Sequence, residues 1–309
     1  MKNVVITGAF GKSGSYMTRL LIENASSLSE YHFIFAVRET TNTSLLDRAV
    51  SSNLHYEYKK GDLQDCAFLQ NLCNGVDILV HIAGIDKSLK LVAAAVNGNV
   101  KRLILVHTTG IYSRYKAAGE EYRNIENKIS ELLRNKNISI TIWRPTMIYG
   151  DLKDGNMSIF IKMVDQLTVF PVVDHAAYQL QPVWAKDLGM AYYSVFVNEK
   201  ATANKSYILS GGAPIYLIDI FKTIATYLNR HNTFISVPFS IAYTGAWFVY
   251  ICSLGKYDFR EKVQRLVEPR TFSFEKAKND FGYKPVIFQE GIKDEINMYL
   301  NSKMLKEDR

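Results

Sequence analysis

The 309-residue chain is 48% apolar and 22% charged, the composition of an ordinary soluble protein with enough apolar residues to bury a sizeable core. Its formal charge of +7 is spread thinly, in short pairs such as Lys59-Lys60 and Lys101-Arg102, without a basic run interleaved with aromatics; the excess suits an anionic cofactor or substrate and argues against nucleic acid. Three cysteines, Cys66, Cys73 and Cys252, form neither a metal-ligand spacing nor a disulfide framework, so a reducing cytoplasm is the expected compartment.

The first apolar run, residues 4–6, leads directly into Gly8, Gly11 and Gly14, spaced three apart, and a helical pattern follows through Met17, Leu20 and Leu21. A strand that turns on glycines into a helix offers free N–H groups and a helix dipole to a diphosphate, with no Cβ in the way. Because this motif occupies the N-terminus, no signal peptide is expected before it.

Strand-length apolar runs recur at 33–37, 54–58, 78–82, 103–106 and 140–143, with helical patterns at 89–97 and 122–133 among those between them. Such alternation predicts an α/β fold, a doubly wound parallel sheet of Rossmann type with its site at the carboxyl ends of the strands. Beyond Arg144-Pro145 the pattern loosens through a polar turn at 150–155 and through Pro171, Pro182 and Pro214. A helix at 185–197 and a strand at 206–209 read as a return to the sheet. After Pro214 come a helix at 217–228, a strand at 234–237 and two or three further helices. The expected division is therefore a dinucleotide-binding domain over 1–150, joined by 181–212, and a smaller mixed α/β substrate domain over 151–180 and 213–309.

From Asn232 to Gly255 no residue is charged, and Trp247, Phe248, Tyr250 and Ile251 crowd its second half. Pro238, Gly245 and several hydroxyls dilute it below a membrane span. A buried or cap helix is expected, with an apolar wall of the substrate site or a subunit interface, such as a homodimer, as the alternative; membrane contact is the least favoured reading.

Several short motifs stand in a telling order: Thr7 to Gly14, Gly61-Asp62-Leu63, His81-Ile82-Ala83-Gly84, Arg144-Pro145 with Tyr149-Gly150, residues 182–188, and Phe281-Gly282-Tyr283-Lys284-Pro285. Together they resemble an extended or atypical short-chain dehydrogenase/reductase, the superfamily of the NAD-dependent epimerases and dehydratases, with some resemblance to the nitrogen-metabolite-repressor-like branch. The resemblance implies cofactor contacts from Gly8, Phe10, Gly11, Lys12, Ser13, Gly14, Asp62, Leu63, Ile82, Ala83, Gly84, Thr108 and Pro145. The residues themselves speak to the choice of cofactor. NAD sites usually end the second strand in a carboxylate, whereas 33–37 ends in Arg38, with Lys12 in the glycine loop. Two cations near the ribose suit a 2′-phosphate, so NADP is expected over NAD despite the nearby Glu39.

For catalysis the resemblance implies a Ser/Thr after the fifth strand, a Tyr, and a Lys four residues beyond it. Thr109 and Tyr122 match the first two, but Glu126 stands in place of the Lys. Residues i and i+4 share a helix face, so a carboxylate there is expected to raise the Tyr122 pKa, and a Glu126→Lys variant that gains activity would mark a lost dyad. Tyr122 also reads as a packed aromatic. Tyr112 and Lys116 repeat the Tyr-x-x-x-Lys string by coincidence, in a loop. His81 and His107 read as packing or hydrogen-bonding residues at strand ends, Asp174 and His175 carry no supported role, and no metal cluster is evident. The expected function is an NADP-dependent oxidoreductase or a nucleotide-sugar epimerase/dehydratase-like enzyme, acting on a nucleotide sugar or a quinone-like acceptor; the alternative is a non-catalytic NADP(H) sensor or scaffold.

Overall fold

The apolar runs become strands because both their faces are covered, and the mixed stretches between them become the covering helices. The computed structural model of the protein describes residues 1–48 and 52–307. Lys2–Thr7 (β1), Gly14–Glu23 (α1), Tyr31–Val37 (β2), Tyr56–Lys60 (β3), Cys66–Cys73 (α2), Ile78–His81 (β4), Ser88–Asn97 (α3), Arg102–Val106 (β5), Gly119–Leu133 (α4) and Ser139–Pro145 (β6) follow one another along the chain. The sheet runs β3-β2-β1-β4-β5-β6 and is completed by Lys205–Leu209, every pair parallel. Chain order reverses between β1 and β4, so a crevice opens at their carboxyl ends. Register sharpens this: Thr7 lies opposite both Ala36 and His81, which brings the loops after β1, β2 and β4 out side by side.

The expected return to the sheet occurs. Helix Ala185–Val197 packs on α1 so closely that a Cβ on Gly189 would lie 2.3 Å from the Cβ of Tyr16. Its Tyr192 stacks on Trp143 of β6 at 4.6 Å. Arg102, buried in β5, donates to the last carbonyls of this helix, Val195 (2.7 Å) and Phe196 (2.8 Å), where the helix dipole favours a cation.

A second apolar core gathers Tyr149, Met157, Ile161, Phe170, Leu180, Phe221, Ile224, Phe288 and Ile292, away from the sheet. It includes two elements that the sequence reading left out, helix Met157–Gln166 and strand Val169–Val173, the latter paired in parallel with Thr233–Val237. Pro171 obscured that strand; in a two-stranded pair its missing N–H is tolerated. The C-terminal part holds four helices among the described residues, Phe239–Cys252, Arg260–Leu266, Glu275–Phe281 and Phe288–Glu307, where two or three were expected. The uncharged segment is not buried: in Phe239–Cys252 only Ala246 is buried. No helix among the described residues is long and apolar enough to cross a membrane.

Candidate functional site

The glycine loop is shaped by contacts that no larger residue permits. Gly8 has φ +77°, and a Cβ there would lie 2.8 Å from the Ala83 nitrogen; one on Gly14 would lie 2.1 Å from the Gly8 carbonyl oxygen. The Gly11 amide donates to Gly8 O (3.0 Å) and the Ser15 amide to Gly11 O (2.9 Å), which starts α1. The amides of Lys12 and Ser13 have no backbone acceptor among the described residues. They stand at the helix N-terminus, where an anion is favoured.

His81 fastens the neighbouring loop. Its Nε2 lies 2.9 Å from Gly84 O, which can only accept, so Nε2 carries the proton and Nδ1 accepts from the Thr7 hydroxyl at 2.6 Å. Burial pushes the imidazole down to about 4, keeping it in this neutral form. Of the packing or hydrogen-bonding role expected for His81, the geometry shows the hydrogen bonding.

Gly8, Phe10, Gly11, Lys12, Ser13, Gly14, Arg38, Asp62, Leu63, Ile82, Ala83 and Gly84 all line one cleft of about 740 Å³. Thr40, Thr41, Asn42, Lys87, Ile148 and Lys153 also line it and were not singled out from the sequence. Asp62 uses Oδ1 to accept from the Gln64 amide (2.9 Å), which fixes the turn after β3. Glu39, the residue that blurred the choice of cofactor, is paired with Lys60 at 3.1 Å. Arg38, exposed in the turn that its carbonyl closes with the Thr41 amide (2.9 Å), has no carboxylate partner among the described residues. An elongated groove with tight glycines, bare amides and an unpaired cation at the end of β2 fits a pyridine dinucleotide.

A model of the NAD(P)H-binding family matches residues 8–165, just over half of the chain. The chain belongs to this NAD(P)H-binding family. Solved structures share its fold over nearly the whole length. They include gox2253 (20% identity, 98% of this chain and 99% of that one, TM-score 0.74). UDP-glucose 4-epimerase from Thermotoga maritima, solved with UDP-glucose, is 17% identical over 97% of this chain and 99% of its own, with a TM-score of 0.70. The dTDP-glucose 4,6-dehydratase DesIV from Streptomyces venezuelae, solved with NAD and TYD, is 17% identical over 98% of each chain, with a TM-score of 0.71. The fold is thus that of the epimerases and dehydratases.

In this NAD(P)H-binding protein Lys12 and Ile148 line both this cleft and a second cavity of about 320 Å³. Thr108 and Thr109 line it; Pro145 lies beside them and accepts from the Thr109 hydroxyl at 3.1 Å. That hydroxyl keeps its lone pairs for a ligand. Tyr122, the expected acid, is not among the lining residues of either space. The tyrosine on this wall is Tyr112, accompanied by Lys116, the pair set aside as coincidence. Lys116 also lies over the Tyr122 ring, 5.7 Å from its centre. Arg265, Glu268 and Arg270 form the facing wall, also unforeseen. Burial first, and then Arg265, push Arg270 down to about 10 against the raising effect of Glu268.

Glu126 does not act on Tyr122 as expected. Its carboxylate is taken by Arg144 Nε (3.0 Å) and Nη2 (2.6 Å) and by His107 Nδ1 (2.8 Å). Against the opposing effect of burial, these bonds hold it down to about 2. The Tyr122 phenol is raised, as expected, but by burial first and then by Asp86 and Glu121. His107 is thus part of an ion-pair network. Asp174 also has a structural use, accepting from the Phe239 amide at 2.8 Å. Among the described residues no His, Cys, Asp and Glu cluster could hold a metal.

Proposed function

We propose that this protein is an NADP-dependent enzyme of the epimerase/dehydratase fold that carries out reductase or epimerase chemistry on a phosphate-bearing small molecule such as a nucleotide sugar. The observation that carries the reading is that Lys12 and Ile148 line both spaces, which sets the chamber of Thr108 and Thr109 beside a cofactor on the glycine loop. Residues 1–150 and 181–212 serve as the cofactor half, and 151–180 with 213–309 as the substrate half.

The glycine-loop amides hold the diphosphate, Asp62 and Leu63 the adenine, and Arg38 with Lys12 the 2′-phosphate; Ile82, Ala83, Gly84, Thr108 and Pro145 line the nicotinamide end. When bound, the nicotinamide supplies or accepts hydride. Thr109 accepts a hydrogen bond from a substrate hydroxyl, and Tyr112 passes a proton to or from the reacting oxygen. The cation that shares this cavity with Tyr112, in place of the missing lysine, is Lys116. Tyr122 acts from beneath by seating Lys116. Arg265 and Arg270 hold the anionic part of the substrate. With both polar walls in place, a quinone-like acceptor is the weaker match. The reaction belongs in the cytoplasm, where reduced cysteines persist.

The test is NADPH or NADP turnover followed by absorbance across carbonyl, quinone and sugar-nucleotide substrates, repeated with Tyr112→Phe and Tyr122→Phe. Loss of kcat in Tyr112→Phe with retained cofactor binding supports the reading. Tight cofactor binding without turnover of any substrate supports the second reading, a cofactor sensor, which the Glu126 substitution favours.

A further inference from the structure

Helix Phe239–Cys252 carries no charge and buries only Ala246. Ile241, Trp247, Phe248, Val249 and Ile251 are exposed, and Leu254 just beyond them is 96% exposed. At about 100° per residue, the exposed positions sweep an arc of about 200°. A helix that packs one face on a core shows an apolar stripe of about 100° or more. The apolar exposed positions here spread over about twice that width with the exposed Ser240 and Thr244 among them, a mixture that suits the boundary between an apolar medium and water.

The turn that follows adds to the pattern. Leu254 holds φ +52°, a conformation unfavourable for a branched side chain, and does so while pointing its apolar body into solvent. Next come Lys256, Arg260, Lys262 and Arg265 against Asp258 and Glu261, and both carboxylates are paired with arginines. Lys256 and Lys262 have no carboxylate partner among the described residues and lie over exposed rings, Tyr257 (5.5 Å) and Phe259 (5.3 Å). An apolar surface edged by aromatic rings with free cations beside them is the composition of a segment that sits at a lipid headgroup boundary. At 1.5 Å per residue the helix is about 21 Å long, too short to cross a hydrocarbon core of about 30 Å.

We propose that the Phe239–Cys252 helix and the Leu254 turn dock the protein on the surface of a membrane containing anionic lipid, the helix lying in the interface and Lys256 and Lys262 meeting the headgroups. This surface is independent of the cofactor cleft and of any turnover.

The test is co-sedimentation of the full chain with vesicles of phosphatidylcholine alone and of phosphatidylcholine mixed with phosphatidylglycerol. The wild type sediments with the mixed vesicles, and brominated lipid quenches fluorescence that disappears in Trp247→Phe. Trp247→Ser with Phe248→Ser abolishes sedimentation. Lys256→Glu with Lys262→Glu weakens binding to the mixed vesicles by at least about 5-fold for each lysine. Each variant must keep the wild-type thermal shift with NADP, which reports folding at the glycine loop. Failure of the wild type to bind either vesicle overturns the proposal. So does a stable dimer in light scattering that Phe248→Ser dissociates while vesicles capture nothing.

Discussion

Arg144, at the end of β6, grips Glu126 of α4 through two guanidinium nitrogens, at 3.0 and 2.6 Å. Both side chains are largely buried, and His107 closes the network from the neighbouring strand end at 2.8 Å. The position that suits a lysine in the resembling enzymes is here an anion that fixes an arginine.

Exchanging Glu126 for Lys therefore does not rebuild an ancestral dyad. It sets a like charge beside Arg144 and leaves His107 without its acceptor. Glu126→Lys and Glu126→Gln are both expected to lose about 3 kcal/mol or more in denaturant unfolding, the cost of removing one member of a buried ion pair. The linkage has a definite sign. The Glu126 pKa is depressed in the fold to about 2. Its contribution is present above the ordinary carboxylate range of about 4.3 and is lost as the pH falls toward 2, so acid unfolding of wild type and Glu126→Gln converges there.

Arg38→Ala is expected to weaken NADP binding by about 10- to 100-fold, the worth of a charge-assisted contact, and to leave NAD binding nearly unchanged. Calorimetry with both nucleotides measures it. Equal losses for the two would remove Arg38 from the 2′-phosphate.

Gly14→Ala places a methyl 2.1 Å from the Gly8 carbonyl oxygen, so α1 must move off β1. The expected outcome is loss of nucleotide binding together with about 1–3 kcal/mol of stability, the usual cost of overpacking. A variant that binds NADP normally in calorimetry would contradict the geometry described for the loop.

Glu295 accepts from the Gly150 amide at 2.7 Å, and burial, reinforced by Asp154, pushes its carboxyl up to about 9. The folded state thus holds a proton that the unfolded chain releases above about 4.3. Stability from this group is full below that value and declines as the pH rises toward 9. Glu295→Gln, which preserves the protonated shape, is expected to flatten the decline and to melt higher than wild type at alkaline pH. Thermal melts from about pH 5 to pH 9 check this. Burial raises Asp187 as well, to about 6, so a smaller slope below that pH persists in the variant.

The sheet was legible because period, length and glycine spacing are local properties: α4 was expected at 122–133 and spans Gly119–Leu133. The cofactor wall followed from the same locality, since each of its loops leaves a strand end. The facing wall did not. Arg265, Glu268 and Arg270 reach Thr109 only through packing between segments about 155 residues apart, as in the 2.7 Å bond from Ser113 to Glu268. Tyr112 and Lys116 were visible as a string but belong to a short 3-10 turn, Thr109–Tyr112, and the loop after it, where helical periodicity carries no information. The fate of Glu126 depended on Arg144, whose role in the sequence was only that of a landmark before Pro145.

The completion of the sheet by Lys205–Leu209 has an implication for modularity. The seven-stranded sheet cannot be freed by a single cut, because one of its edge strands and the Ala185–Val197 cover arrive only after the chain has toured the other core. A protein truncated at Gly150 would leave β6 as a bare edge and strip Trp143 of Tyr192. Replacing the second core by a foreign one thus requires two simultaneous splices, at Gly150 and at Gly211-Gly212, where an added Cβ on either of the last two would sit within 2.8 Å of a backbone oxygen.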